Sequence, residues 1–360
     1  MSESVYKQLA LLLDTIPNGY PATDTGVELK ILESIFTEEE AAITLQLKLK
    51  YETPEQIAER KGMDAEYLKN KLHTMYENGL IWGAVIGPVR LYKLLPFVFG
   101  IYEFQVNRLT PDLVELIEDY FTNYFGKIFF SNGPALMKVV PINQTIPDPS
   151  TVEPYQSVTA LVNSAKAWAV GDCVCKKEKM ISGHKCSKPM EVCLALAPLE
   201  NYFDTYWWGR PISKDEAMSI IKTAEDAGLV HMTSNVKSGH IYICNCCDCC
   251  CGILNGLNKL NNPAAVAKSN YTAVVDESLC TSCGICLDRC QVSAITMDSS
   301  AEINSRCIGC GLCVTTCPVE AIVMKRKTEN EIENVPKNEN EWLKMREEGR
   351  SGSFEYKKLI

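Results

Sequence analysis

Between residues 37 and 79 the polar and apolar positions fall in the pattern of short helices entered through strong caps. Thr37-Glu38-Glu39-Glu40 and Thr53-Pro54-Glu55-Gln56 both have the form of a capping box, in which a threonine and a Glu or Gln three residues on satisfy each other's backbone N–H groups. Pro54 falls at the first helical position, where no N–H is needed. Ile57 and Ala58 open an apolar face, Gly62 makes a turn, and Asp64 can cap a second helix with Leu68, Leu72 and Met75 on one side. Gly79 suits the left-handed residue that ends it. From Leu80 to Val106 aromatic and β-branched residues punctuated by Gly and Pro predict a two-stranded hairpin. Further helices are predicted from Pro111 to Phe125, around Tyr155–Trp168, and from Ser213 to about Ala227, where Ser213-Lys214-Asp215-Glu216 starts the helix and Gly228 stops it. Pro141, Pro147 and Pro149 mark the best linker. The tail from Lys325 to Ile360 is charged, has few large apolar residues, and reads as a surface helix or a partly disordered segment.

The helix–turn–helix–hairpin order resembles a winged-helix domain. Use of such a domain on DNA needs a basic surface. The second helix offers Lys69, Lys71 and His73 but also Asp64, Glu66 and Glu77, and residues 1–100 carry 10 basic against 14 acidic side chains. A protein-contact or scaffold use is therefore the expectation. The whole chain has a net charge of −9, which argues against nucleic acid and anionic membranes as partners. Its 360 residues suggest two or three domains, and 46% hydrophobic with 22% charged residues excludes a largely disordered chain. No apolar run approaches the roughly 18 residues of a membrane span; Leu91 to Phe104 is interrupted by Pro96 and Gly100. The start has no basic segment before an apolar core, so a cytoplasmic, reducing location is expected.

In such a compartment cysteines read as metal ligands or redox groups. There are 18, all between Cys173 and Cys317. Eight lie in an internal repeat: Cys280, Cys283, Cys286 and Cys290, then Cys307, Cys310, Cys313 and Cys317, each a Cys-x2-Cys-x2-Cys-x3-Cys run followed by a short apolar strand, Ala294–Met297 or Ala321–Met324. Close spacing lets three thiolates surround one cubane. Two intact runs of this kind argue against zinc, which favours separate Cys-x2-Cys pairs. The segment resembles the bacterial two-cluster ferredoxin domain. The resemblance implies one [4Fe–4S] cluster on Cys280, Cys283, Cys286 and Cys317 and a second on Cys307, Cys310, Cys313 and Cys290. Gly284, Gly309 and Gly311 suit tight wrapping of the backbone round the clusters. Gln291 departs from the proline usual after the fourth cysteine, while Pro318 keeps it. The expected effect is on local rigidity, not ligation.

Ten cysteines remain. Cys244, Cys247 and Cys250 also have Cys-x2-Cys-x2-Cys spacing, and Cys173, Cys175, Cys186 or Cys193 could supply a fourth ligand. The leading expectation is one or two additional [4Fe–4S] clusters. The alternatives are one structural zinc on Cys173, Cys175, Cys186 and Cys193 and a reactive dithiol within Cys244–Cys251. His184 reads as a solvated loop residue rather than a ligand, and Asn245 and Asp248 as turn residues.

Taken together, the chain resembles a family of larger iron–sulfur proteins of anaerobic bacteria, with a Gly171–Cys175 Gly-Asp-Cys-x-Cys segment, a Cys-Asn-Cys-Cys block and a two-cluster ferredoxin end. That resemblance implies 4Fe–4S binding and supplies no substrate. The expected fold class is α+β: a winged-helix-like, α-rich domain over 1–108, an α-rich but irregular cysteine-dense domain over 109–268, the two-cluster ferredoxin domain over 269–326, and a charged tail over 327–360. Gly100, Gly126 and Gly133 are isolated, so no nucleotide-binding glycine fingerprint is present. The leading function is relay of low-potential electrons between redox partner proteins, as a carrier or oxidoreductase component rather than a stand-alone enzyme. One alternative is a reductase subunit with substrate chemistry at Cys244–Cys251; another is a redox-sensing winged-helix regulator. Trp207 and Trp208 beside Arg210 read as packing rather than a substrate surface. Donor, acceptor and oligomeric state stay open.

Overall fold

Thr37 and Thr53 both close their capping boxes and Asp64 accepts from the Tyr67 N–H, so the three helices they begin start where the sequence places them. The computed structural model describes residues 3–130, 133–204 and 208–350. Its N-terminal part comprises α1 (Val5–Thr15), α2 (Val27–Ile35), α3 (Glu38–Thr44), α4 (Pro54–Lys61) and α5 (Ala65–Glu77), followed by the antiparallel hairpin β1 (Trp82–Ile86) and β2 (Val89–Lys93). Ile57, Leu68, Leu72 and Met75 are fully buried. The hairpin stops short of Val106. Instead the chain bends at Phe99, which takes the left-handed φ of 58° and stacks its ring on Tyr242 before α6 (Tyr102–Phe104). Such a φ is costly for a bulky residue and persists only where the surroundings impose it. On α5, Lys71 pairs with Glu39, Lys69 with Glu66 and His73 with Glu77, so the basic groups of this helix are already matched.

Next come α7 (Pro111–Tyr120) and, through a wide turn at Phe121–Phe125, α8 (Gly126–Phe129). The middle of the chain is not irregular: beside its helices it carries an ordered sheet that the sequence reading did not expect. Strands β3 (Met137–Val139), β4 (Ala167–Asp172), β5 (Glu191–Ala197), β6 (Arg210–Ile212), β7 (Val230–Ser234) and β8 (Tyr242–Cys246) form one antiparallel sheet in the order β3-β7-β8-β5-β4-β6. Between them lie α9 (Val158–Ser164), α10 (Val174–Ile181) and α11 (Lys214–Asp226), and α12 (Gly252–Asn258) follows. Several of these strands are short and nearly continuously buried, so they lack the alternation by which a strand is recognised. Trp168, expected at a helix end, lies on β4 and donates its indole N–H to Val162 O. One sheet face packs Val170, Leu194 and Ile243 against Leu161 of α9 and Ile221 of α11. The other joins a core containing Leu9, Ile117, Val139, Leu254 and Trp342, which crosses the boundary expected at 108/109.

The C-terminal part holds β9 (Tyr271–Val275), α13 (Ile285–Arg289), β10 (Ile295–Met297), β11 (Ala301–Ile303) and β12 (Ile322–Arg326). β9 pairs with β12 and β10 with β11. The last helix, α14 (Glu339–Gly349), is docked rather than loose. Trp342 and Arg346 are buried; Trp342 donates to Ala135 O, and Arg346 donates to Phe129 O, Pro134 O and Pro17 O. Residues 351–360 of the tail, and Trp207, lie outside the described residues. No helix among the described residues is long and apolar enough to cross a membrane.

Candidate metal centres

The internal repeat is visible in the backbone. Ser282, Gly284 and Ser293 of the first unit and Gly309, Gly311 and Glu320 of the second all have positive φ. These bends curl each run so that three sulfurs converge. In the first unit Cys280, Cys283, Cys286 and Cys317 line one small pocket. In the second, Cys307, Cys310 and Cys290 are the thiols whose charge bears most on Cys313 and Cys310. The fourth cysteine of each run thus stands with the other run's first three. Backbone N–H groups are aimed at the sulfurs: Ala294 at Cys290 and Ala321 at Cys317, each at 3.2 Å, and Ala301 at Cys280 at 3.5 Å. Burial pushes the Cys310 thiol up to about 12, whereas the Ala301 and Ser282 N–H groups hold Cys280 below the usual thiol range. Curled thiols, a cavity between them and N–H donors on their sulfurs suit iron–sulfur clusters, whose thiolates take such hydrogen bonds.

The other ten cysteines do not group by their Cys-x2-Cys spacing. Cys244 and Cys246 lie on β8, where side chains repeat every second residue. Cys244 therefore goes with Cys246 and not with Cys247 and Cys250. On neighbouring β5, the register Leu194↔Ile243 brings Cys193 next to Cys244. Cys246 continues to Cys251 at the start of α12, Cys251 to Cys175, and Cys175 to Cys173, the residue capping α10. These six thiols form one contiguous, largely buried set. Thiol–thiol hydrogen bonding among themselves, and then burial, hold Cys244, Cys246 and Cys251 well above the usual thiol range.

Cys186, Cys247, Cys249 and Cys250 form a separate set whose sulfurs all lie within 4.8 Å of one another. Neither the expected triplet Cys244, Cys247 and Cys250 nor the expected foursome Cys173, Cys175, Cys186 and Cys193 comes together. His184 is exposed and outside both sets. Cys246, Cys249 and Cys251, passed over by the Cys-x2-Cys-x2-Cys reading, belong to the two sets. Asn245, expected in a turn, is buried on β8, where its side chain bonds His231 Nδ1 at 2.6 Å and donates to Val192 O at 2.7 Å. Lys176 is also buried and reaches Asn245 O. Beside Cys175 the Tyr102 hydroxyl donates to Glu178, whose carboxyl burial raises.

The C-terminal part is fastened to the middle part beside Cys290 and Cys307. Gln291 Oε1 accepts from the Asp248 N–H at 3.0 Å, and Gln291 O accepts from Asn258 Nδ2 at 2.9 Å. Arg306 donates to Val292 O, Asn258 Oδ1 and Asn261 Oδ1. Arg289 donates to Glu225 O and Asp226 O at the C-terminal end of α11, where a cation is favoured. The departure from proline at 291 is thus a contact to the Cys244–Cys251 block.

Residues 266–324 match the family model of a 4Fe-4S dicluster domain, and residues 306–350 match a second model of the same description. No curated protein and no solved structure matches the chain. The matched residues, the curled thiol sets and the N–H donors on their sulfurs together make this an iron–sulfur protein with a ferredoxin-like C-terminal region.

Proposed function

We propose that the chain relays low-potential electrons, taking them up at an exposed cluster and passing them inward toward its cysteine-rich middle. Cys280, Cys283, Cys286 and Cys317 would hold the outer [4Fe–4S] cluster, and Cys307, Cys310, Cys313 and Cys290 the inner one. Such clusters accept and release one electron with little rearrangement of their ligands. The six-thiol set of Cys173, Cys175, Cys193, Cys244, Cys246 and Cys251 offers ligands for a further iron–sulfur centre. A reducing, cytoplasmic setting in an anaerobe suits so many thiols.

The observation that carries this reading is the unequal exposure of the two curled sets. Cys283 is exposed, and Leu279, Ile285 and Val319 leave large apolar side chains in solvent near it. Asp276, Glu277, Asp288 and Glu320 flank them in the chain and are exposed too. An apolar centre with an acidic surround suits a redox protein with a basic rim. The other set lies behind the Gln291 and Arg306 contacts. The N-terminal part serves as a scaffold in this reading, because its Lys69, Lys71 and His73 are matched by acids.

Reduction of anaerobically purified protein by a chemical donor, followed by electron paramagnetic resonance, tests it. About 8 iron with equal sulfide belong to the dicluster region, and iron above that to the six-thiol set. Cys283→Ser should abolish or shift one cluster signal and slow reduction of the rest. Iron–sulfur centres that cannot be reduced at all would end the proposal. The Tyr102–Glu178 pair beside Cys175 favours a second reading, a reductase that delivers protons with electrons at the six-thiol set. In that case Glu178→Gln impairs turnover of a substrate while leaving cluster reduction intact.

A further inference from the structure

The Cys186 set differs from every other thiol group in the chain by how tightly its sulfurs converge. Cys249 Sγ stands 3.5 Å from Cys247 Sγ, 3.6 Å from Cys250 Sγ and 3.7 Å from Cys186 Sγ, and Cys186 to Cys247 is 4.0 Å. Four thiolates bound tetrahedrally to one zinc at about 2.3 Å stand about 3.8 Å apart. A cubane interposes four irons and four sulfides between its thiolates and spreads them further. We infer that Cys186, Cys247, Cys249 and Cys250 form a tetrathiolate site for a single zinc ion, distinct from the iron–sulfur sites, that pins the loop between α10 and β5.

The loop supplies the independent observation. From Lys185 to Met190 no backbone N–H donates to a backbone carbonyl among the described residues. A segment so poorly bonded opens readily unless something else holds it. Lys188 Nζ reaches Ala227 O at 2.6 Å, and the Lys188 N–H points back at the Cys186 sulfur, as donors do around a bound thiolate. On the opposite side Cys247, Cys249 and Cys250 come from the turn between β8 and α12, so one ion would tie two segments about 60 residues apart, as the Cys186–Cys247 separation in the chain shows. Cys247 and Cys250 are buried beneath Val192, Ala224 and Leu229. Zinc suits the position because it is closed, all-sulfur and has no redox state to change as electrons pass nearby.

The inference deepens the reading of the middle part as metal-binding but does not depend on electron transfer, because zinc and iron are counted separately. The full chain, purified without oxygen, should carry one zinc in addition to its iron. Cys186→Ser with Cys249→Ser should remove that zinc, leave the iron and sulfide of the C-terminal region unchanged, and make trypsin cut after Lys185 severalfold faster. Wild-type protein produced with cobalt in place of zinc should show the intense visible bands of a tetrahedral tetrathiolate, a readout that needs no variant to fold. The inference is overturned by absence of zinc, by a single redox-active iron at the site, by about 4 iron lost with the double variant as a cubane would require, or by zinc that the variant retains.

Discussion

Gly309 shows how a single residue shapes a cluster loop. Its φ is 70°, and a Cβ there would lie 2.1 Å from Tyr271 O and 2.2 Å from Ser269 Oγ. Gly309→Ala should therefore displace the loop bearing Cys307 and Cys310, with loss of about 4 iron from the inner cluster alone; iron analysis checks it. Ser282 occupies the equivalent place in the first unit at φ 54°, and Ser282→Gly should relieve roughly 1 kcal/mol of backbone strain. The Cys-x2-Cys-x2-Cys-x3-Cys runs were legible because local bends bring their first three thiols together. Cys246 and Cys251 were not, since their partners depend on strand period and register, nor was Cys249, which meets Cys186 only through the fold. Gln291 was visible as a departure from proline, but its acceptor role toward Asp248 needed the fold. Gln291→Ala should keep the iron content and slow reduction of any centre in the middle part, measured by stopped flow. Lys138 is buried with its ammonium on Lys268 O, and burial brings it down to about 8. Its charged form therefore costs stability in the fold at neutral pH. Melting temperature should rise with pH from about 8 toward the ordinary lysine value, and Lys138→Met should flatten that rise.

Among the elements, capped helices were readable and the sheet was not. Ser213 starts α11 and Gly228 follows it at φ 79°, in keeping with the sequence. Strand β7 is buried at four of its five positions, so period-2 alternation could not mark it. At the tail the surface helix that the sequence allows is α14, and what its charge content hid is that Trp342 and Arg346 dock it. The Arg346 guanidinium meets three backbone carbonyls and the rings of Phe129 and Trp342. Removing it would leave acceptors buried without a donor, at about 1–3 kcal/mol each. Arg346→Ala should lower the melting temperature by several degrees without changing the metal content.

For the whole molecule, composition pointed away from a disordered chain, and the dicluster region was legible from its repeat, although the family matches run on to residue 350. How the parts join was not legible, because Arg289, Arg306 and Gln291 carry no motif. If the acidic surround of Cys283 receives a basic donor, raising salt should slow intermolecular reduction while leaving later intramolecular steps unchanged. The docking of α14 has a further consequence for assembly. Arg346 and Arg350 reach Pro17 O and Asp14, so the last described helix closes on the first. The dicluster region runs directly into this helix through β12. A cluster region left unloaded gives that helix a loose lead-in, and an iron-starved chain should betray itself by a loosened C-terminal helix well before its N-terminal core unfolds.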